Sequence, residues 1–329
     1  MNTYTYNING IRVRMHTQRH YSKLSPYLST EKTCDLEFYI GQLSTKTDAT
    51  WIDTHYHHKL ASWRIQLKDF DGEHTIVYFK GDRFFSRQLF YTMVFEALLQ
   101  YKYSKHNKVT LHASSVSTDT KSYAFSGDAT VGKTSLLLHF LSRGYRYMAD
   151  DQTVIDAQTL QTLPYVLPIG IDVHLALTTR LTLNLRLKFK LLLATIINTF
   201  LLHYTALTPM VRTHELVFNG MHIQLGTPTK IHKIFVLENA NISSITQLTP
   251  SEAYDKLWTC KFGSKGRLPA LIYYGKEYKK MDPNFTLWGQ YRQLLLKLTQ
   301  DVPVYKVSFA KNDINSALNL VCQEMELSV

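Results

Sequence analysis

Alternating hydrophobic and polar residues predict several β-strands within the first eighty residues of the chain. In each run the apolar side chains recur at every second position, which is the period of a strand with one buried face. Polar turns such as Asp71-Gly72 and Gly81-Asp82 separate the runs. The pattern predicts a small antiparallel sheet with strands at residues 11–15, 36–40, 63–67 and 75–79.

The hydrophobic period then lengthens to that of a helix between positions 84 and 103. Apolar residues recur at helical spacing at Phe85, Leu89, Met93 and Leu98/Leu99. This spacing predicts an amphipathic helix whose apolar side faces a core. The polar segment 105–108 follows it as a turn or linker. We therefore expect a β-rich N-terminal domain at residues 1–107 and a second domain at 108–329.

A third pattern lies in the middle of the chain. Residues 181–190 alternate strictly between apolar and polar or basic side chains, and an almost continuous apolar run follows at 191–202. The alternation is typical of a strand, although a basic helix also fits it. The apolar run is shorter than the roughly 20 residues that span a bilayer, so we expect no transmembrane segment. We interpret residues 174–214 as an insertion that forms a buried helix, docks on a membrane surface or binds a leader peptide.

A strand, a glycine-rich loop and a helix follow one another between residues 122 and 142. Residues 122–126 have strand character, and residues 135–142 are predicted to form a helix that ends near Gly144. The loop between them fits the phosphate-binding pattern GxxxxGK[ST], which requires this context. It comprises Gly127, Asp128, Ala129, Thr130, Val131, Gly132, Lys133 and Thr134, and Ser135 follows in the helix.

The chemistry of this loop predicts nucleotide binding. Backbone N–H groups and the positive end of the helix dipole can surround phosphate groups. Lys133 can reach the outer phosphates as a point charge, and the Thr134 hydroxyl can bind Mg²⁺. We therefore expect ATP and Mg²⁺ as cofactors, with the nucleotide held by residues 127–135.

Two adjacent acids, Asp150 and Asp151, come directly after a predicted strand at residues 145–149. Phosphoryl transfer needs one carboxylate for Mg²⁺ and often a second one that accepts the proton of the acceptor hydroxyl. Repulsion between adjacent carboxylates would raise the pKa of one of them and suit it to act as a base. We expect Asp151 to bind the metal and Asp150 to act as the base, and the sequence leaves the opposite assignment nearly as open.

The chain is strongly basic, with a formal net charge of +11 and a pI near 9.3. Its basic residues are scattered over several segments and form no recognised nucleic-acid-binding module, so we expect no nucleic acid partner. An acidic peptide or nucleotide phosphates would also account for this charge. No nucleophile elbow or dinucleotide fingerprint supports a hydrolase or a dehydrogenase.

The three cysteines, Cys34, Cys260 and Cys322, are far apart in the sequence. They form no CxxC motif and no cluster with histidine, so we expect neither a disulfide framework nor a structural zinc site. We also expect no metal at the His55-Tyr-His-His58 run, because strand alternation would separate two of its histidines. The first residues lack an apolar signal core, which favours a cytoplasmic protein.

The segment 109–156 resembles the HPr kinase/phosphorylase family, whose nucleotide domain is similar to that of phosphoenolpyruvate carboxykinase. The resemblance rests on the strand residue His112, on the loop through Thr134, and on Arg143-Gly-Tyr-Arg leading into the paired aspartates. It implies an α/β fold (α+β overall), in which a P-loop nucleotide domain follows the small β-rich domain. It also implies catalytic roles for His112, Lys133, Asp150 and Asp151, with His112 orienting the base or sharing its proton.

Residues 230–247 and the later run LKLTQDVPVYK resemble the corresponding segments of stand-alone members of that family, such as lasso-peptide precursor kinases. The chain departs from the bifunctional enzymes because Tyr165 stands where they have an acidic residue. This departure argues against phosphorylase activity and against HPr as the substrate.

These observations together predict an ATP- and Mg²⁺-dependent kinase. We expect it to transfer the γ-phosphate to a Ser or Thr hydroxyl of a peptide or small protein, for example a ribosomally made precursor peptide. A kinase of a small molecule such as free serine, and a nucleotide-gated binding protein without phosphotransfer, are the alternatives. The sequence leaves the oligomeric state open, including a homo-oligomer.

Overall fold

The computed structural model is a mixed α/β protein with two compact units. It describes residues 1–18, 21–45, 47–48, 50–58, 61–81, 90–166, 170–171, 185, 189, 192–193, 211–212, 223–263, 268–311 and 313–325. The first unit comprises Met1–Lys108 and Lys265–Leu294, and the second comprises Val109–Ser264 and Leu295–Val329.

The division of the chain differs from the expectation of a continuous second domain at 108–329. A segment near the C-terminal end belongs to the first unit because its aromatic residues pack there. The ring of Phe70 lies 5.7 Å from that of Tyr278 and 5.8 Å from that of Phe285. A large buried aromatic cluster of this kind outweighs proximity in sequence.

Among the described residues of the first unit, six strands form one sheet in the order β1-β2-β3-β6-β5-β4. The pairs β2–β3 and β3–β6 are parallel, so the expectation of an antiparallel sheet is wrong for the middle of this sheet. Parallel neighbours need a crossover, and residues 18–35 provide one between β2 and β3. The elements are β1 (Asn2–Ile8), β2 (Ile11–Thr17), β3 (Leu36–Ile40), β4 (Trp51–His58), β5 (Ala61–Lys68), β6 (Thr75–Gly81), α1 (Glu96–Lys105) and α4 (Leu268–Met281).

One face of this sheet forms the core of the first unit. Val13, Phe38 and Phe79 alternate with polar residues and are almost completely buried. They lie beneath a π-helical turn, Phe90–Phe95, whose Phe90 ring is 5.4 Å from that of Phe38. The predicted amphipathic helix is instead buried on every side along α1, from Glu96 to Ser104. Of its predicted apolar positions, Phe85 and Leu89 lie outside the described residues, as does the side chain of Met93.

The second unit is built on a nine-stranded sheet in the part of the chain that the structure describes. Its continuous path is β10-β8-β9-β15-β12-β11-β7, and β17 pairs with both β15 and β16. The strands are β7 (Lys108–Leu111), β8 (Ala113–Ser117), β9 (Ser122–Gly127), β10 (Arg146–Ala149), β11 (Thr153–Asp156), β12 (Gln161–Leu163), β15 (Thr229–Asn239), β16 (Ser244–Gln247) and β17 (Val304–Phe309), with a separate pair β13 (Gly170–Ile171) and β14 (Val211–Arg212). The helices are α2 (Lys133–Ser142), α3 (Pro250–Gly263), α5 (Gly289–Asp301), which begins in the first unit, and α6 (Ile314–Glu324).

Strand direction brings three chain segments to one edge of this sheet. Strand β8 runs antiparallel to both β9 and β10. The carboxyl ends of β9 and β10 therefore lie beside the start of β8. Three parts of the chain therefore meet at this edge of the sheet. They are the loop after Gly127, the acids after Ala149, and His112, which precedes Ala113.

Most of the 174–214 segment lies outside the described residues, including the basic positions Arg180, Arg186, Lys188 and Lys190. Leu185, Phe189, Leu192 and Leu193 are helical and exposed. At these four positions the expectations of a strand and of a buried helix are therefore wrong.

Among the described residues, no helix combines the length and the apolar composition that a membrane-spanning segment needs.

Candidate functional site

The loop between β9 and α2 contains the two glycines of the phosphate-binding pattern, Gly127 and Gly132. At both positions the backbone conformation favours glycine. Their φ angles are +151° and +112°, which L side chains rarely adopt. A Cβ at Gly127 would lie 2.7 Å from the carbonyl oxygen of Leu237, and one at Gly132 would lie 2.5 Å from Ile314. The glycines thus let the loop turn tightly against β15 and α6.

The tip of this loop is exposed, whereas its lysine is not. Asp128, Ala129 and Thr130 face solvent, Ser135 is half-buried, and Val131 is buried and anchors the loop. Lys133 is 7% exposed and donates hydrogen bonds to the carbonyl oxygens of Gly127 (2.9 Å) and Asp128 (2.7 Å). Burial lowers the pKa of Lys133. Its ammonium group therefore lies within the turn of the loop.

Thr134 and Asp150 are in direct contact. The Thr134 hydroxyl donates to Oδ1 of Asp150 over 3.0 Å. Asp150 is almost completely buried, and this burial, together with the neighbouring charge of Asp151, raises its pKa to about 7. The hydroxyl and the nearby Lys133 only partly oppose that shift. A buried carboxylate beside a hydroxyl offers two oxygen ligands of the kind that Mg²⁺ prefers.

The two aspartates point in different directions because of the backbone at Asp151. Its φ is +65°, in the left-handed region that aspartate adopts more readily than most residues. The chain turns there, so Asp150 faces the loop helix and Asp151 faces the start of β8. Adjacent carboxylates are thereby given different partners.

His112 is the partner of Asp151. Its Nε2 lies 2.9 Å from Oδ1 of Asp151, and its Nδ1 lies 3.1 Å from the carbonyl oxygen of Cys260. Because a carbonyl oxygen can only accept, Nδ1 carries a proton in this arrangement. The other ring nitrogen, Nε2, is thereby directed at the carboxyl group of Asp151. A histidine that is held on one side by a backbone carbonyl fixes the orientation of the carboxyl group on its other side.

Sequence reasoning missed the contribution of α3 to this site. The carbonyl oxygen of Cys260 fixes His112, and the buried ammonium group of Lys261 donates to the Thr110 hydroxyl over 2.7 Å. Ser126 donates to the backbone oxygen of His112 over 3.1 Å. These contacts join positions that are up to about 150 residues apart, and no local sequence pattern signals them.

The structure brings together His112, Lys133, Thr134, Asp150 and Asp151 at one sheet edge, as the contacts above show. Tyr165, which stands at the place of an acidic residue in the resembled family, is buried and bridges to Ala149 next to this edge. The side chains of His57, His58 and Arg212 lie outside the described part of the chain.

No protein-family model and no curated protein sequence matches the chain. Among solved structures, the chain is similar to the HPr(Ser) kinase/phosphatase from Coxiella burnetii, with 12% sequence identity and a TM-score of 0.31. The match covers 66% of this chain and 96% of that one. A likeness at this level is distant.

Proposed function

We propose that the chain is an ATP- and Mg²⁺-dependent kinase that phosphorylates a Ser or Thr hydroxyl of a peptide or small protein. The observation that carries this proposal is the division of the paired aspartates at the sheet edge. One of them contacts the loop hydroxyl of Thr134 and the other contacts His112. Phosphoryl transfer to a hydroxyl needs a metal-binding carboxylate and a proton acceptor side by side, next to bound phosphates.

The residues present fit a nucleotide and Mg²⁺. The exposed tip of the loop leaves room for phosphates, and a side chain at Gly127 or Gly132 would collide with the protein around the loop. Mg²⁺ takes hard oxygen ligands, and Thr134 and Asp150 supply them. When bound, the ion would neutralise the charge of the phosphates.

The contacts favour Asp150 for the metal and Asp151 for the base, the opposite of the division that the sequence slightly favoured. Asp150 is the carboxylate that touches Thr134, and its pKa is raised because burial and the charge of Asp151 outweigh the effect of nearby Lys133. Asp151 is more exposed, and its Oδ1 lies 2.9 Å from Nε2 of His112. In this proposal Asp151 accepts the proton that the acceptor hydroxyl loses, and His112 orients it.

Lys133 would exchange its present partners for phosphate oxygens. Its ammonium group is held by two loop carbonyls, which supply no full negative charge. Phosphate oxygens form stronger, charge-assisted hydrogen bonds than neutral carbonyls do. Lys133 is thus poised to turn towards a nucleotide at the loop.

Radiolabelled ATP separates this proposal from its alternatives. The protein is incubated with γ-labelled ATP, Mg²⁺ and an extract of its source, and the products are separated by size. Label in a peptide or protein supports the proposal, and label in a small metabolite indicates a small-molecule kinase. ATP binding without any transferred label would contradict kinase activity and favour a nucleotide-gated binding protein.

The first variant for this assay is Lys133→Ala, with Lys121→Ala as its matched control. Lys121 is an exposed lysine in a turn of the same unit. Loss of one oriented charge from a phosphoryl-transfer site should lower the rate by about 10²-fold or more. Lys121→Ala should keep normal activity. Near-normal transfer by folded Lys133→Ala protein would contradict the role of this loop.

A further inference from the structure

A cluster of side chains that could bind a metal ion lies in the first unit, far in sequence from the glycine-rich loop at residues 127–134. Cys34, Glu37 and His74 each offer one ligand atom, and these atoms lie within 4.8 Å of one another. The sequence shows no contiguous zinc motif, and the cluster forms only in the folded sheet.

Strand pairing explains why these three residues meet. Strands β3 and β6 are parallel neighbours, with Leu36 opposite Thr75. Cys34 and His74 precede these two positions, so they lie side by side at the entrance to both strands. Glu37 alternates with the core residues Leu36 and Phe38 and therefore points to the opposite, polar face of the sheet.

The distances within the cluster fit a tetrahedral metal. His74 Nε2 lies 3.1 Å from Oε2 of Glu37 and 3.5 Å from Sγ of Cys34. Bond lengths of about 2.0–2.3 Å place neighbouring ligand atoms of a zinc tetrahedron about 3.3–3.8 Å apart. The two distances from His74 are thus close to those that such an ion requires, and the Cys34 and Glu37 ligand atoms lie within 4.8 Å of each other.

The two oxygens of Glu37 have different surroundings. Oε1 is contacted by His16 (2.8 Å), Arg14 (3.4 Å) and the Tyr39 hydroxyl (3.3 Å). Oε2 faces His74, next to Cys34. Outer contacts of this kind orient a carboxylate that binds a metal through its other oxygen.

We propose that Cys34, Glu37 and His74 form a binding site for one Zn²⁺ ion, with a fourth position open to solvent. The mixture of sulfur, nitrogen and oxygen ligands suits zinc and not Mg²⁺. His16 and Arg14 position Glu37 and are not ligands. The His74 side chain is 44% exposed, which gives an ion access to the cluster from solvent.

Protons must leave when the ion binds. Although burial opposes ionisation, the hydrogen bond from His16 and the nearby positive groups lower the pKa of Glu37, so it is already a carboxylate. Burial and the charge of Glu37 raise the pKa of the Cys34 thiol. The Glu37 carboxylate can only accept, so Nε2 of His74 also carries a proton in its present contact. The ion therefore displaces one proton from the Cys34 thiol to solvent, and the Nε2 proton of His74 either leaves to solvent or is replaced by one on Nδ1, which frees the Nε2 lone pair.

Cobalt absorption tests the site in the full chain. Metal-free protein, prepared with a chelator, is titrated with Co²⁺ alone. One Co²⁺ per chain should bind and give the visible bands of tetrahedral cobalt together with a near-ultraviolet thiolate charge-transfer band. Cys34→Ser should abolish the charge-transfer band, and His74→Asn should weaken binding by about tenfold or more. Zn²⁺ should then displace the cobalt.

Three controls keep this test decisive. Cys322→Ser removes a buried thiol of the second unit and should leave the cobalt spectrum unchanged. A double variant, His57→Asn with His58→Asn, excludes chelation by the separate histidine run in β4. Circular dichroism shows whether each variant is folded. Absence of a thiolate band, its persistence in folded Cys34→Ser, or loss of binding only in the His57/His58 variant would overturn the proposal.

Discussion

Asp150 in the second unit and Glu37 in the first are both buried carboxyl groups, yet their pKa values move in opposite directions. The pKa of Asp150 rises to about 7, because burial is reinforced by the neighbouring charge of Asp151. The pKa of Glu37 falls, because a hydrogen bond from His16 and nearby positive groups outweigh its burial. Burial alone therefore does not decide the charge of a carboxyl group, and its neighbours do.

The difference predicts what each carboxyl group can bind. Asp150 contacts a hydroxyl and lies beside a second acid, so a hard cation would relieve its unfavourable surroundings. Glu37 is already compensated through one oxygen and faces a histidine and a thiol through the other. The first arrangement suits Mg²⁺, and the second suits an ion that also accepts nitrogen and sulfur ligands.

The largest expected effect separates Asp150 from its neighbour Asp151. Asp151→Asn should leave binding of Mg²⁺ with a non-hydrolysable ATP analogue nearly unchanged and lower kcat on the order of 10²–10⁴-fold, because a base acts only as the transition state forms. Asp150→Asn should instead weaken binding of the metal nucleotide. Calorimetric titration and steady-state kinetics measure both. If the two variants exchange these effects, the division first expected from the sequence is the correct one.

Local signals in the sequence account for the parts of this site that could be predicted. The glycines of the loop, Lys133 and the acids after a strand all lie within one strand-loop-helix-strand segment, where spacing and chemistry are sufficient. The strand at Leu36–Ile40 was likewise predicted from its alternation. Such signals describe one segment at a time.

Contacts between distant segments could not be predicted in the same way. Tertiary packing determines the parallel pairing of β3 with β6 and the return of residues 265–294 to the first unit. It also determines the hydrogen bond between His112 and the backbone oxygen of Cys260. Cys34 and His74 are separated by 40 residues and meet only because their strands start side by side. The roles of the aspartates and the identity of the nucleotide stay predictions.

The second largest expected effect is that of Asp150→Asn on the stability of the ligand-free protein. Asp150 binds its proton more tightly in the folded chain, where its pKa is about 7, than at its ordinary value of 3.8. The protonated form of Asp150 therefore contributes to the free energy of unfolding. This contribution is complete below about pH 4 and is lost as the pH rises through about 7. Asp150→Asn should therefore stabilise the metal-free protein at pH 8, by up to about 4 kcal/mol. Denaturant unfolding at pH 4 and pH 8 measures it, and equal stability of variant and parent at pH 8 would contradict the raised pKa.

Replacement of Glu37 in the first unit should change the free energy of unfolding by a smaller amount and in the opposite direction. Glu37 has a lowered pKa, so its charged form stabilises the fold above its ordinary pKa, and this contribution is lost as the pH falls through the lowered value. Glu37→Gln should destabilise the metal-free protein at pH 7 by about 1–2 kcal/mol, because the donors around Oε1 lose a charged acceptor. The same unfolding measurement tests it. Stabilisation by Glu37→Gln would remove the contrast with Asp150.

The smallest expected effect is the response of the proposed zinc site to Mg²⁺. Mg²⁺ requires near-octahedral oxygen ligands, and a thiol and an imidazole are poor ligands for it. A large excess of Mg²⁺ should therefore leave the cobalt spectrum of the full chain unchanged, whereas Zn²⁺ should remove it. Asp150→Asn should not alter this result, because Asp150 belongs to the other unit. If Mg²⁺ displaces the cobalt, or if Asp150→Asn abolishes its binding, the ion is bound at the sheet edge by oxygen ligands and not by Cys34 and His74.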